Sequence, residues 1–392
     1  MHRLLLMTLA LLLSTAPLTT PVAARPGADA HPGPFYDSPV ALPQTHGALM
    51  RKRRYVGPLK VRGAINKKVL YSQVGVDGEM RATSGFVSVP RRRPPVGGFP
   101  IVTWGHGTTG AADRCAPSVE ASRSLRTNPA NDLIQDWVDR GWAVVRTDYE
   151  GLGTRGLHPY LVGVSEGRAM MDAVRAAREA FPSISDRVAI AGSSQGGHAA
   201  LWAAEVAPDY TPDLTVTSTT AFAPPSHLSS QLTAARALPV TNLTATLALI
   251  LRGADVADPS LRVRRVLTDR AATLWPRQRF ECQQQMASAD AYGGVPANQL
   301  IRPTADVSAI LEVIDANGAE SLAPPGPVLV LQGLRDMTVM PPTSAALVTR
   351  YTARGVDVTY RTYPDAAHGT VVADGGADAT AFIATHLEGQ RS

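Results

Sequence analysis

The sequence predicts an α/β fold: a mostly parallel sheet with helices on both faces and an inserted helical cap. Three observations predict it. Short apolar runs alternate with helix-period segments from residue 99 to residue 224, and again from residue 327 to the end. Between them, about 100 residues carry helical patches and no clear strands. Two of the apolar runs end in glycine-rich turns, as ligand-binding strand ends in open sheets do. Composition permits such a core: of 392 residues, 44% are hydrophobic and 18% charged, which excludes disorder of the whole. Two cysteines exclude a disulfide scaffold and a four-thiolate zinc site. With 38 Lys+Arg against 33 Asp+Glu, the net charge of +5 is small for the length. It points no further than to anionic surfaces.

The elements follow in order. Residues 1–24 read as a signal peptide: His2 and Arg3 form a basic start, and Leu4 to Leu13 an apolar run too short to span a bilayer. Val22-Ala23-Ala24 offers small residues for cleavage. The alternative is a membrane anchor, which Pro17 and Pro21 oppose by breaking the run. Residues 25–55 are expected to form an extended lead-in rich in proline. Residues 56–224 and 326–392 form the expected core, and residues 225–325 the cap. Residues 69–74 and 84–90 alternate as strands around the Asp77-Gly78 turn signal. Residues 99–107 and 142–151 are strands flanking a helix over 131–141, closed by Gly141. Residues 165–182 have helical spacing, 187–192 a strand, 196–208 a helix and 214–225 a strand. After the cap come a strand at 327–333, a helix at 343–355, a strand at 356–364 and a helix at 378–389.

Gly-x-Ser-x-Gly occurs twice, at Gly163–Gly167 around Ser165 and at Gly192–Gly196 around Ser194. A nucleophile elbow needs a strand before it, a helix after it and small residues at the turn. Ser194 has all three. Ser165 lacks the strand, because too few residues separate it from the preceding one for a crossover. It reads better as the N-cap of the helix that follows.

A serine needs a base within hydrogen-bond reach, and the base an orienting carboxylate. In this kind of sheet their chain order is Ser, Asp or Glu, His. Asp336 follows the strand at 327–333, and His368 follows the strand at 356–364. Asp365 and Asp357 are rivals for the acid, but Asp365 is better placed to stabilise its own loop. His198 follows Ser194 by one helical turn and reads as a helix-face histidine. No His-x-x-x-His or His/Cys cluster occurs, so no metal and no cofactor are expected.

Attack on an ester carbonyl builds charge on oxygen, which two backbone N–H groups should meet. One belongs to Gln195. The other comes from the loop Trp104–Gly110, with Thr108 first and Thr109 second in order of preference. Export would expose Cys115 and Cys282 to oxidising conditions, which makes them a candidate disulfide. Two unrelated thiols is the other reading.

Residues 104–118, 147–160, 165–178, 191–205, 333–342 and 365–369 together resemble the secretory lipases, the lipase A-like group of α/β-hydrolases with actinobacterial-type members. The similarity runs from about Ile101 to the end. It implies an α/β-hydrolase fold with a helical cap, and lipase or carboxylesterase activity. It carries the nucleophile onto Ser194, the acid onto Asp336 and the base onto His368. Arg114–Ser118 matches the family's disulfide neighbourhood and supports the Cys115–Cys282 pair. The His106-Gly107 form of the loop differs from the yeast members, so Thr108 and Thr109 both stay open.

The function expected is a secreted serine ester hydrolase acting on an ester or lipid substrate, with contact at a lipid surface left open. An exported acyltransferase or peptidase would use the same three residues. A non-catalytic lipid- or cell-wall-binding protein is the reading from another class. Nucleic acid is not expected: the basic runs at Arg51–Arg54 and Arg91–Arg93 read as solvated loops.

Overall fold

The computed structural model describes residues 32–119 and 128–388. The expected signal peptide and its cleavage site lie outside the described residues. The sheet has nine strands: β1 (Leu49–Arg54), β2 (Ala64–Val74), β3 (Met80–Pro90), β4 (Phe99–Gly105), β5 (Ala143–Thr147), β6 (Ile184–Ser193), β7 (Thr215–Phe222), β8 (Val328–Gly333) and β9 (Val358–Tyr363). Their spatial order is β1-β2-β3-β5-β4-β6-β7-β8-β9. The first three form an antiparallel meander, β3 runs antiparallel to β5, and the remaining pairs are parallel.

Helices of eight or more residues among those described are α1 (Ala130–Arg140), α2 (Gly163–Ala180), α3 (Gln195–Tyr210), α4 (Leu228–Ala235), α5 (Thr244–Ala257), α6 (Ser308–Ala316), α7 (Pro341–Ala353) and α8 (Val371–Glu388). Every position of the parallel strands β4, β5 and β8 is buried, because helices cover both faces there. Ile101, Val188 and Ile190 face α2 and α3, while Val102, Ala189 and Leu329 face α1 and α8. The chain leaves β4 for β5 on one side, then crosses back to β6 on the other. The crevice at the carboxyl ends of β4 and β6 is therefore the topological switch point, where open sheets bind ligands.

Between β7 and β8 the chain builds α4, α5, α6 and short helical turns, with an apolar core of their own that includes Leu232, Leu249 and Ile314. The disulfide is formed: Cys115 and Cys282, with Cα atoms 5.5 Å apart, tie the loop after β4 to this insertion. The bond closes a loop of 167 positions, so replacing both cysteines by serine is expected to cost about 2–4 kcal/mol. The midpoint of thermal unfolding of the double variant should fall by roughly 3–5 °C; an unchanged midpoint would count against it.

Two expectations are corrected. Residues 49–54 are not lead-in or loop but β1, paired with β2 from Leu49↔Tyr71 to Arg54↔Lys67. Four consecutive basic residues hide the strand alternation there. The last helix begins at Val371, seven residues earlier than its pattern predicts. Gly375 and Gly376 interrupt the apolar spacing because they pack close against Tyr363 and Leu133.

Candidate active site

The turn between β6 and α3 holds Ser194 at φ 57° and ψ −122°, a left-handed conformation that costs a non-glycine residue energy. Close packing enforces it. A Cβ on Gly192 would lie 2.0 Å from Gly196 O, and one on Gly196 would lie 1.9 Å from Gly105 O. Both obstacles are backbone, so neither can swing aside. Gly196→Ala is expected to destabilise the fold by about 2–3 kcal/mol, read by thermal unfolding, and to displace the adjoining Gln195. Wild-type stability in that variant would refute the close approach.

The strand ends bring three predicted residues together. Ser194 Oγ lies 2.9 Å from His368 Nε2, and His368 Nδ1 donates to Asp336 Oδ2 at 2.7 Å. The His368 side chain is one-quarter exposed, and the Asp336 carboxylate is fully buried. Asp336 Oδ1 accepts from the backbone N–H groups of Thr338 and Val339, both at 2.8 Å. Gln332, on β8, donates to Val339 O at 3.0 Å and to Asp336 Oδ2 at 3.3 Å, and accepts from Ser344 Oγ at 2.7 Å. The rival Asp365 sits at the surface, paired with Arg335 at 2.6 Å.

The loop after β4 runs beside this turn. A Cβ on Gly107 would stand 3.6 Å from Ser194 Cβ. Thr108 and Thr109 both line the cavity onto which Ser194 and His368 open. Thr108 Oγ1 bonds Tyr160 OH at 2.6 Å, and Thr109 O accepts from the Gln283 N–H at 2.8 Å. The loop is thus held from both sides. His106 is no rival base: burial pushes it down to about 4, and its Nδ1 donates to Gly107 O at 2.7 Å.

Gln195 is the first residue of α3, so its N–H belongs to the group that a helix start leaves without an intrahelical acceptor. Its buried side chain donates to Glu166 Oε1 at 2.7 Å and to His158 Nε2 at 2.8 Å. His158 in turn donates from Nδ1 to Glu150 O, and burial lowers its basicity. His198 is buried as well and donates from Nε2 to Asn317 O at 2.7 Å, away from the serine. Sequence reasoning missed Glu166, His158 and Gln332, whose partners are distant in the chain or carry no motif. It also placed Ser165 at an N-cap. The helix begins earlier, at Gly163, where the Asn317 side chain accepts the Gly163 N–H and Glu166 accepts the Leu161 N–H. Ser165 lies inside that helix, buried, with its hydroxyl on Glu150.

The cavity is about 620 Å³ and lies between the sheet's carboxyl edge and the insertion. Leu228 from α4, Leu247 and Ile250 from α5, and Val339 and Val372 from the core make much of its wall. Arg114 and Gln283–Gln285 make a polar part.

A parallel sheet of this order, with a strained serine turn at its switch point, is an α/β-hydrolase fold. Solved structures with this fold include lipase A of Candida antarctica in its closed state, with a TM-score of 0.78 at 20% identity, covering 92% of this chain and 87% of that one. The rice cell wall degrading esterase LipA of Xanthomonas oryzae gives a TM-score of 0.72 at 19% identity, covering 88% of this chain and all of that one. The chain belongs to the secretory lipase family, whose family model matches residues 120–392. A protein of Mycobacterium tuberculosis named a probable inactive lipase is 29% identical over 355 residues, 83% of this chain and 75% of that protein. Lipase A of Arthroderma benhamiae is 22% identical over 391 residues, 91% of this chain and 79% of that one.

Proposed function

We propose that this protein is an exported serine hydrolase of carboxylic esters, with Ser194 as nucleophile, His368 as base and Asp336 as the acid that orients it. The observation that carries the reading is the unbroken hydrogen-bond chain Ser194–His368–Asp336 opening on a largely apolar cavity. His368 Nε2 takes the serine proton as Oγ attacks the carbonyl carbon. Asp336, holding the Nδ1 proton, stabilises the imidazolium that results. The Gln195 N–H and an N–H of Thr108 or Thr109 receive the developing oxyanion. The imidazolium then protonates the departing alkoxide, leaving an acyl group on Ser194. Water, with His368 again as base, releases the acid.

The wall of Leu228, Leu247 and Ile250 suits an acyl chain, which makes residues 225–325 a cap over the acyl site. The family, the disulfide and the leader reading of residues 1–24 support export with cleavage near Ala24. The named inactivity of the mycobacterial relative is a statement about that protein; here all three reacting groups stand in contact. A fluorophosphonate probe should label Ser194, and p-nitrophenyl esters of increasing acyl length should be hydrolysed while aminoacyl amides are not. Absence of labelling, with the protein folded, would overturn the assignment.

A further inference from the structure

The basic runs at Arg51–Arg54 and Arg91–Arg93 play no part in the site, and the strand register says where they are. β3 ends at Pro90 beside Ala64, the start of β2, and its Ser88 pairs with Val144 near the start of β5. β1 ends at Arg54, opposite Lys67. The loop joining β1 to β2 and the loop joining β3 to β4 therefore lie together at the amino-terminal end of the parallel strands. The serine turn and the cavity mouth are at the carboxyl-terminal end, across the full length of the sheet.

These loops and the adjoining strand end carry Arg53, Arg54, Lys60, Arg62, Arg91 and Arg93, all exposed. None of the six takes part in an ion pair among the described residues. Arg54 even stands directly across from Lys67, a like-charge pairing that destabilises a sheet. Asp136 and Asp139 on α1, Asp186 on β6 and Glu388 at the end of α8 are exposed acids near this end, fewer than the cations. Three exposed aliphatic side chains lie among the cations: Val56 at 72%, Ile65 at 39% and Val96 at 105% exposure. Protecting an edge strand from pairing needs only a charge or two on that strand. It explains neither the second loop nor the valines.

Cations around projecting aliphatic groups fit an anionic bilayer, where phosphates meet the charges and the aliphatic groups enter the headgroup boundary. We propose that this end of the sheet docks the protein on an anionic phospholipid surface, with the active-site mouth turned away from that surface. Docked in this way, the protein would be held at the surface while acting on esters that arrive from solution. Only the turnover measurements below rest on the proposed ester hydrolysis; the binding measurements stand without it.

The test is cosedimentation of the purified protein at 0.1 M salt with vesicles of phosphatidylcholine alone, or with about one-third phosphatidylglycerol. Wild type is expected to bind the anionic vesicles and not the neutral ones, and to lose at least tenfold in affinity at 0.5 M salt. Each cation near an anionic surface is worth roughly a factor of five, so joint replacement of Arg53, Arg54, Arg91 and Arg93 by glutamine should weaken binding by about 600-fold. That variant should hydrolyse p-nitrophenyl butyrate at the wild-type rate. Should it fold poorly, Lys60→Gln with Arg62→Gln reads the same surface and should lose about 25-fold. Ser194→Ala should bind as wild type does, and vesicle-bound wild type should keep its turnover of the soluble ester. Equal binding to neutral vesicles, unchanged binding in the charge variants or blocked turnover on vesicles would overturn the proposal. So would stronger retention of duplex DNA at the same salt, which would make the surface a general polyanion site.

Discussion

Replacing Ser194 by alanine is expected to lower kcat for p-nitrophenyl butyrate by about 10⁴–10⁶-fold, the range seen when the nucleophile of such a constellation is removed. The loss should fall on kcat, because the cavity wall and the backbone donors remain. KM should stay within a few-fold. Stability should hardly move: the hydroxyl bonds the partly exposed His368, and alanine keeps the same Cβ at φ 57°. The strain of the turn is therefore the same in both proteins. Steady-state kinetics and thermal unfolding of the pair check this. A variant retaining a tenth of the activity would remove Ser194 from the mechanism.

Asp336→Asn is expected to lower kcat/KM by about 10³–10⁴-fold. The reason is local. Oδ1 of Asp336 accepts two backbone N–H groups, so an asparagine must turn its oxygen to them and its NH₂ to His368 Nδ1. The imidazole must then accept at Nδ1 and carry its proton on Nε2, facing Ser194, which leaves no lone pair there to take the serine proton. Labelling by a fluorophosphonate should slow in parallel. Asp365→Asn, by contrast, touches an exposed pair with Arg335 and should change turnover less than twofold. A large loss there with little loss at Asp336 would reverse the assignment of the acid.

Much of the sheet was legible because its strands are buried on both faces and read as continuous apolar runs between glycine and proline signals. Ser194 and Asp336 were legible because each follows such a run, and His368 because it follows the alternating strand β9. β1 was not: Arg51–Arg54 is a strand only because β2 is there to pair with it. The support beneath the serine turn was hidden for a related reason. Gln195, Glu166, His158 and Asn317 come from four separate stretches, and nothing local marks a buried glutamate as the partner of a glutamine 29 positions away. The helix start at Gly163 escaped notice because its first N–H is met by Asn317, 154 positions away, and not by a serine of its own.

The covalent link at Cys282 constrains how a substrate can enter. The segment between β7 and β8 is moored to the sheet at both of its ends and, midway, to Cys115 beside the cavity. A flap fastened at three points cannot swing wide as one rigid door. Room for an incoming chain must come from the stretches between these points, which supply Leu243 and Leu247 to the cavity wall. Cutting the sulfur tether should therefore alter which esters get in as well as how hot the protein must be to unfold.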